Sequence, residues 1–307
     1  MNAIVMREFG KADVLKLEQV PRPEPGHGQM LVRVRAASVN PIDWKLRSNP
    51  RGRMQLPYTP GFDVSGVVES VGPGVSKFKV GDEVFAMLDL RRGGAYAEFA
   101  IVTESEAALK PAKASHVEAA AIPLVSLTAW QALFDSAKLD AGQSVLIHGG
   151  AGGVGSVAVQ LAKWKGAKVY ATASENNLDF LRQIGADVAI DYRSQKFEEI
   201  AKDVDVVLDT VGGDTQSRSW GVLKKDGILV SIVGGASQQK AQEAGVRAAG
   251  VLVRVNADDL TQIAKLMDDG KLKAIVSHEL PLADAAKAQE LSETHHTRGK
   301  IVLKVAD

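Results

Sequence analysis

Six residues, Gly150-Ala151-Gly152-Gly153-Val154-Gly155, constrain this chain more than any other feature. They follow an abrupt apolar run, Ser144 to His148, and lead into a stretch from Val154 to Lys165 whose apolar positions recur at helical spacing. A G-x-G-x-x-G turn between strand and helix wants glycine for three separate reasons: the tight turn itself, close approach of a ligand to the backbone, and close packing of helix on sheet. An anion placed there meets unpaired N–H groups and the positive end of a helix dipole, an interaction worth about 0.3–1 kcal/mol. Gly150, Gly152, Gly153, Val154 and Gly155 are therefore expected to hold the pyrophosphate of a dinucleotide. The alternative is a glycine-rich turn with no ligand.

The chain beyond the turn supports the first reading. Strand candidates recur at 144–148, 168–173, 188–192, 204–210, 227–233 and 251–255, most of them separated by helical patterns. That alternation implies βαβ units, hence a parallel sheet. Before it lie short alternating runs at 30–39, 62–71, 82–88 and 95–102, punctuated by Pro-Glu-Pro-Gly and Gly-Pro-Gly, which read as a β-rich, barrel-like unit. An alanine-rich helical stretch from Val117 to Ala137 links the two, and after about Asn256 one helix and a final strand at 300–305 return to the first unit. The expected domains are 1–113 with 256–307, and 114–255, each within the roughly 50–250 residues usual for a domain.

Several function classes drop out. The chain has no cysteine, which removes disulfides, thiol catalysis and cysteine-ligated metals. Its six histidines show no ligand spacing, so no metal is expected. With 37 basic and 37 acidic residues there is no field to hold a polyanion, and nucleic acid is not an expected partner. Met1 to Phe9 reads as a short strand rather than a signal peptide, and no run approaches the ~20 apolar residues of a membrane span. A cytoplasmic location is expected, with no membrane partner.

The end of the second strand bears on which dinucleotide is bound. It reads Ala171-Thr172-Ala173-Ser174, with no carboxylate where NAD enzymes usually hold the ribose 2′-hydroxyl. Ser174 can donate to a 2′-phosphate, which favours NADPH over NADH, or cap the next helix; the two roles are compatible.

Other segments resemble one family along essentially the whole chain. In order they are 37–47 (ASVNPIDWKLR), 60–75 (PGFDVSGVVESVGPGV), 79–86 (KVGDEVFA), 93–102 (GGAYAEFAIV), 127–133 (LTAWQAL), 149–163 (GGAGGVGSVAVQLAK), 184–187 (IGAD) and 298–305 (RGKIVLKV). This pattern resembles the medium-chain dehydrogenase/reductase superfamily, in its zinc-independent quinone oxidoreductase (zeta-crystallin-like) and enone reductase group. Gly61-Phe62-Asp63 stands where zinc alcohol dehydrogenases of that superfamily carry Gly-His-Glu.

The resemblance implies an α/β fold: a GroES-like β-rich barrel catalytic domain plus a Rossmann doubly wound parallel-sheet domain. It implies NADPH-dependent hydride transfer to a quinone or an α,β-unsaturated carbonyl. Such acceptors are already activated and need no Lewis acid. A cofactor-binding structural or regulatory protein with little turnover is the alternative, since fold alone does not establish activity.

Residue by residue, the resemblance puts Asn40 and Lys45 of Asn-Pro-Ile-Asp-Trp-Lys beside the nicotinamide or substrate, with Lys45 reaching a ribose hydroxyl or a developing oxyanion. The other reading makes Asn40 and Asp43 turn residues. Tyr58 either lends its hydroxyl to the acceptor or packs its Pro-rich loop. Thr128 either contacts the nicotinamide or bonds back to its own helix. Thr172, Ser174 and Tyr192 are expected along the adenosine ribose, with Tyr192 at the 2′-phosphate. Asn177 stands where relatives carry Lys or Arg, and Glu175 adds a negative charge, so Arg193 or Arg298 is left to supply the cation. Val211-Gly212 and Val233-Gly234 either face the cofactor or are ordinary turns. Arg47, Arg51 and Arg53 hint at an anionic acceptor or are solvated loop charges. The run at 251–255 is a candidate edge strand for pairing with a second subunit, as in relatives.

Overall fold

In the computed structural model, residues 1–49 and 55–305 are described, and the alternation after residue 144 becomes a six-stranded sheet in which every neighbouring pair is parallel. In spatial order its strands are Val188–Asp191, Lys168–Ala173, Ser144–Ile147, Val204–Asp209, Leu223–Ser231 and Arg247–Gly250. The chain starts in the middle at Ser144–Ile147, winds outward through two strands, then returns to the centre at Val204–Asp209 and winds the other way. The direction reverses between the two central strands, and the carboxyl ends of such a pair are the position at which sheets of this kind take ligands. Val145, Leu146, Ile147, Val207, Leu208, Leu229 and Val230 are all buried, as expected of strands covered on both faces.

The chain divides into two units, Met1–Leu124 with Arg254–Asp307, and Val125–Val253. The parallel sheet belongs to the second. The first holds a seven-stranded sheet running Val276–Pro281, Lys300–Lys304, Gln29–Val39, Asp63–Val71, Glu83–Met87 and Ala107–Leu109, with Phe99–Thr103 also paired to Gln29–Val39. Ile4, Met30, Val32, Val34, Val64, Val84, Tyr96, Ile301 and Leu303 gather in one core. Two registers position the polar groups of this unit: Ser38 pairs with Asp63, and Ile301 with Val39, which sets Lys300 opposite Asn40.

Four expectations need correction. The run 251–255 is not a strand: its partner Leu223–Ser231 ends opposite Gly250, and after Val251 donates to the Ser231 carbonyl at 2.9 Å there is no neighbour left to pair with. Beyond Asn256 the chain forms not one helix and a strand but also Val276–Pro281 and Ala285–Glu293. The strand escaped notice because Val-Ser-His-Glu-Leu-Pro is a polar, largely exposed edge. The helical stretch from Val117 is split into His116–Ala120 and Pro123–Trp130, with Pro123 starting the second, and ends in a π-helical turn, Gln131–Ser136. Arg47 is not a loop charge: it is buried in the helix Pro41–Ser48, ion-paired with Glu293 and donating to Gln289 Oε1 at 2.7 Å and the Gly10 carbonyl at 3.1 Å. Arg51 and Arg53 lie outside the described residues.

Candidate functional site

At the carboxyl edge of the parallel sheet the glycine turn is braced from beneath. Gly149 N–H donates to Thr172 Oγ1 at 3.2 Å, Gly150 N–H to the Thr172 carbonyl at 2.9 Å, and Thr210 Oγ1 to the His148 carbonyl at 2.7 Å. Thr172 is buried, so it shapes the turn and does not line an open surface. The hydrogens of this brace are fixed by elimination. Ser219 Oγ donates to the Thr215 carbonyl at 2.7 Å, so it accepts from His148 Nε2 at 2.9 Å, and His148 Nδ1 then accepts the Thr172 hydroxyl proton at 3.2 Å. Burial pushes the imidazole down to about 4, which keeps His148 neutral in this role.

The glycines divide by what demands them. A Cβ on Gly155 would lie 2.2 Å from the Gly149 carbonyl oxygen, so the chain's own packing requires glycine there. A Cβ on Gly152 would meet nothing closer than the Gly149 carbonyl oxygen at 3.4 Å, an ordinary contact, at the start of the helix Gly153–Lys165. That helix has Gly152 as its N-cap and no side-chain cap. A turn that leaves backbone donors and room for a close approach fits a pyrophosphate.

The remaining expected cofactor residues of this unit, Thr128 aside, lie at the ends of the neighbouring strands. Asp209, fully buried, accepts from Val211 N at 3.0 Å and Gly212 N at 2.7 Å through Oδ1, and from Gln216 Nε2 and Ser231 Oγ through Oδ2. It thereby shapes the turn that presents Val211, 54% exposed, beside Val233, 40% exposed. A Cβ on Gly212 would lie 3.2 Å from Val233 Cγ2, which shows how close the two turns run, and Gly234 follows Val233 directly. Across the switch point, Ser174 follows Lys168–Ala173 and accepts from Asn177 Nδ2 at 3.1 Å; its own side chain makes no helix cap. Tyr192 is 52% exposed and its N–H donates to the Ala173 carbonyl at 3.1 Å. Thr128 is buried in the helix Pro123–Trp130. Lys45 and Arg298 belong to the other unit, where both are exposed; the Lys45 ammonium lies 5.4 Å from the Trp44 ring.

In the first unit the strand registers bring together a buried polar cluster. Asp63 Oδ2 accepts from Ser38 Oγ at 2.8 Å and Asn40 Nδ2 at 2.7 Å, and Oδ1 accepts from Leu124 N at 2.8 Å. The Lys300 ammonium donates to the Val39 carbonyl at 2.7 Å and Asn40 Oδ1 at 2.5 Å, with Asp63 at 3.8 Å. Asp43 Oδ2 accepts from Asn40 N at 2.8 Å and Tyr96 OH at 2.7 Å. Burial raises both carboxyl groups, Asp43 to about 7 with Asp63 adding to the rise, and lowers Lys300.

Asn40 is thus an interior tie rather than a group facing an acceptor: it is fully buried and both ends of its amide are engaged. Tyr58 is also inward. Its hydroxyl is buried without a hydrogen-bond partner among the described residues, and a Cβ on Gly93 would lie 2.1 Å from it, so the ring packs its loop. The sequence did not mark Asp43, Asp63, Tyr96, Lys300, His148 or Asp209 as site residues. Asp63 and Lys300 stand inside the motifs PGFDVSG and RGKIVLKV, but their pairing needs the sheet.

A family model described as "Alcohol dehydrogenase GroES-like domain" matches residues 26–112, and one described as "Zinc-binding dehydrogenase" matches residues 184–303. An NADPH-dependent alkenal/one oxidoreductase, chloroplastic, of Arabidopsis thaliana is 37% identical, covering 99% of this chain and 79% of its own. Among solved structures, the quinone oxidoreductase of Coxiella burnetii superposes with a TM-score of 0.93 at 39% identity, covering 100% of this chain and 99% of its own. The Escherichia coli quinone oxidoreductase complexed with NADPH does so with 0.91 at 29% identity, covering 99% and 100%. A glycine turn at the switch point of a parallel sheet defines a Rossmann dinucleotide-binding fold. The chain belongs to the medium-chain dehydrogenase/reductase superfamily, with quinone and enone oxidoreductases as its relatives.

The zinc in one model's description is not matched by donors here. Where the zinc enzymes carry Gly-His-Glu, Asp63 is already bound to an amide, a hydroxyl and a backbone N–H, with an ammonium 3.8 Å away. No group of three or more His, Cys, Asp or Glu able to hold a metal occurs among the described residues. A dication would have to enter against the Lys300 charge, with neither thiolate nor imidazole to receive it.

Proposed function

We propose that this protein is an NADPH-dependent oxidoreductase that delivers hydride to a quinone or an α,β-unsaturated carbonyl without a metal. The observation that carries the reading is the Gly150 to Gly155 turn, open over an uncapped helix at the switch point of the sheet. NADPH, when bound, supplies the hydride. The chain's own contribution is to hold the pyrophosphate on Gly152, Gly153, Val154 and Gly155, and the ribose with Ser174 and Tyr192. Val211-Gly212 and Val233-Gly234 offer apolar, close-lying surface beside it. Thr128 belongs to the nicotinamide end of the same proposal, and Lys45 is the exposed ammonium assigned to the developing oxyanion, with Arg298 a further cofactor contact. A quinone or enone needs no Lewis acid, in keeping with the donor set around Asp63, and the one proton that completes the reduction comes from solvent.

Residues 1–113 with 256–307 would form the catalytic domain and 114–255 the cofactor domain. A homodimer with contacts through 251–255 belongs to the same reading, supported by Leu252 at 65% exposure just beyond the edge strand Arg247–Gly250; sedimentation of wild type against Leu252→Asp tests it. A cytoplasmic setting is also proposed, although relatives' names include chloroplastic and mitochondrial proteins. No helix among the described residues is long and apolar enough to cross a membrane.

The test is loss of NADPH absorbance by protein dialysed against a chelator, with p-benzoquinones, enals and saturated aldehydes as acceptors and NADH for comparison. Turnover of quinones or enals but not aldehydes is expected. Turnover confined to aldehydes, or restored only by added zinc, would contradict the reading.

A further inference from the structure

We infer that the first unit carries a ligand site of its own, a pocket for a small organic phosphate dianion, on the face of its seven-stranded sheet turned away from the main core. A cavity of about 400 Å³ lies there, lined by Arg35, Lys304, His116, Glu83, Val67 and Val117. All six belong to Met1–Leu124 with Arg254–Asp307, and none is among the residues given above to cofactor or acceptor.

An irregularity in the sheet puts the guanidinium there. Val32 and Val34 join the main core, and so do Ala37 and Val39, so the alternation of the strand Gln29–Val39 changes phase between them. The register shifts at the same point: Val34 pairs with Gly66 and Ala36 with Ser65, which leaves Arg35 as the extra residue of a bulge. Arg35 and Ala36 therefore both look away from that core. Ala36 packs instead with Val302, Ala120 and Ala121. Lys304 pairs with Ala36 across the neighbouring strand and, two residues on from Val302, falls on the same face.

These two cations differ from those around them. Arg33 is ion-paired with Glu69 at 2.7 Å, and Lys110 donates to the Ala114 carbonyl at 2.6 Å and lies 3.3 Å from Glu83. Arg35 and Lys304 have no ion pair or side-chain hydrogen bond among the described residues. The nearby carboxylates are already engaged. Glu83 lies between Lys110 and His116 Nε2, the latter at 3.4 Å, and Glu118 Oε2 accepts from Ser115 N and Oγ, both at 2.9 Å. His116 is a wall of the cavity, with Ser65 Oγ 2.8 Å from its Nδ1. Burial lowers its pKa, Glu83 opposes the fall, and Lys110 and Arg35 add to it, so the Arg35 charge reaches the ring.

A guanidinium fork beside an ammonium matches the two charges and several oxygens of a phosphate monoester better than the single charge of a carboxylate. Val67 and Val117 offer apolar surface to the group that the phosphate carries, and the volume is that of a small-molecule pocket.

Methyl NMR titration of the full chain with phenyl phosphate, following Val67, Val117 and the His116 ring, tests this without cofactor or turnover. Saturating shifts at these residues are expected, with a dissociation constant of about 1 mM or below. Arg35→Gln and Lys304→Gln should each weaken binding about 5- to 20-fold. Lys304 is exposed, so its variant keeps the test independent of folding should the other disturb the bulge. Inorganic phosphate should move the same signals and bind more weakly, and signals of the Gly150 to Gly155 turn report separately on phosphate held there. Shifts that do not saturate, binding that survives both substitutions, inorganic phosphate tighter than phenyl phosphate, or benzoate as tight as phenyl phosphate would each overturn the inference.

Discussion

The edge of the parallel sheet and the interior of the other unit are both dense in polar groups, yet they are organised in opposite ways. Around Gly149 to Gly155 the side chains of Thr172, Thr210 and His148 satisfy one another and the turn from beneath, while the upper surface is backbone and open. Around Asp63 the polar atoms are side chains turned inward, and Ser38, Asn40 and Lys300 meet them with no opening to a ligand required. The first arrangement is built to receive a charge from outside. The second holds its own charges, and its cation is covalently part of the chain.

This contrast makes its largest prediction at Lys300. Lys300→Met leaves the Asp63 carboxylate buried without its counter-ion, a loss of about 3–5 kcal/mol in unfolding free energy measured by denaturant titration. A change under about 1 kcal/mol would mean the cluster is not held by its ammonium.

Next in size is a pH effect with a definite sign. The Asp43 carboxyl rises from 3.8 to about 7 on folding, so between those values the native protein holds a proton that the unfolded chain has lost. Stability from this group falls as pH rises from about 4 to about 7 and is level above, by up to about 4 kcal/mol. Asp43→Asn removes the slope, so this variant should be less destabilised relative to wild type at pH 8 than at pH 5. Parallel stability curves for the two proteins would refute the assignment.

Smaller, but more discriminating, is the pair Gly155→Ala and Gly152→Ala. The first drives a methyl into the Gly149 carbonyl and should cost about 1–3 kcal/mol of stability. The second should leave stability within about 0.5 kcal/mol and weaken NADPH at least tenfold, about 1.4 kcal/mol, by fluorescence titration. Thr172→Val is expected to cost about 1 kcal/mol of stability, by removing the hydroxyl between Gly149 N and His148, and should loosen NADPH in proportion.

The same contrast explains which features are legible in the sequence. The glycine turn is a local feature: its spacing, the strand before it and the helix after it lie within about twenty residues, and local periodicity is the strongest signal a single sequence carries. The parallel sheet followed from the alternation of strand and helical patterns. The buried cluster joins Asn40 to Lys300, 260 positions apart, through two strand registers that no local pattern specifies. Asn40 and Asp43 were legible as turn residues, and Asp43 does accept the Asn40 N–H, at the start of the helix Pro41–Ser48, but burial of both depended on the sheet. The run 251–255 failed for the converse reason: its β-branched residues suit a strand, but the neighbouring strand ends at Ser231.

Conjugate hydride delivery without a metal is the central claim, and one labelling measurement addresses it directly. Chelator-treated protein, NADPH deuterated at the transferable C4 position and an enone are combined for a single turnover, and the product is analysed by mass spectrometry and NMR. One deuterium on the β-carbon of a saturated ketone is the predicted result. Deuterium on the carbonyl carbon of an allylic alcohol, or transfer seen only after zinc is restored, would contradict it.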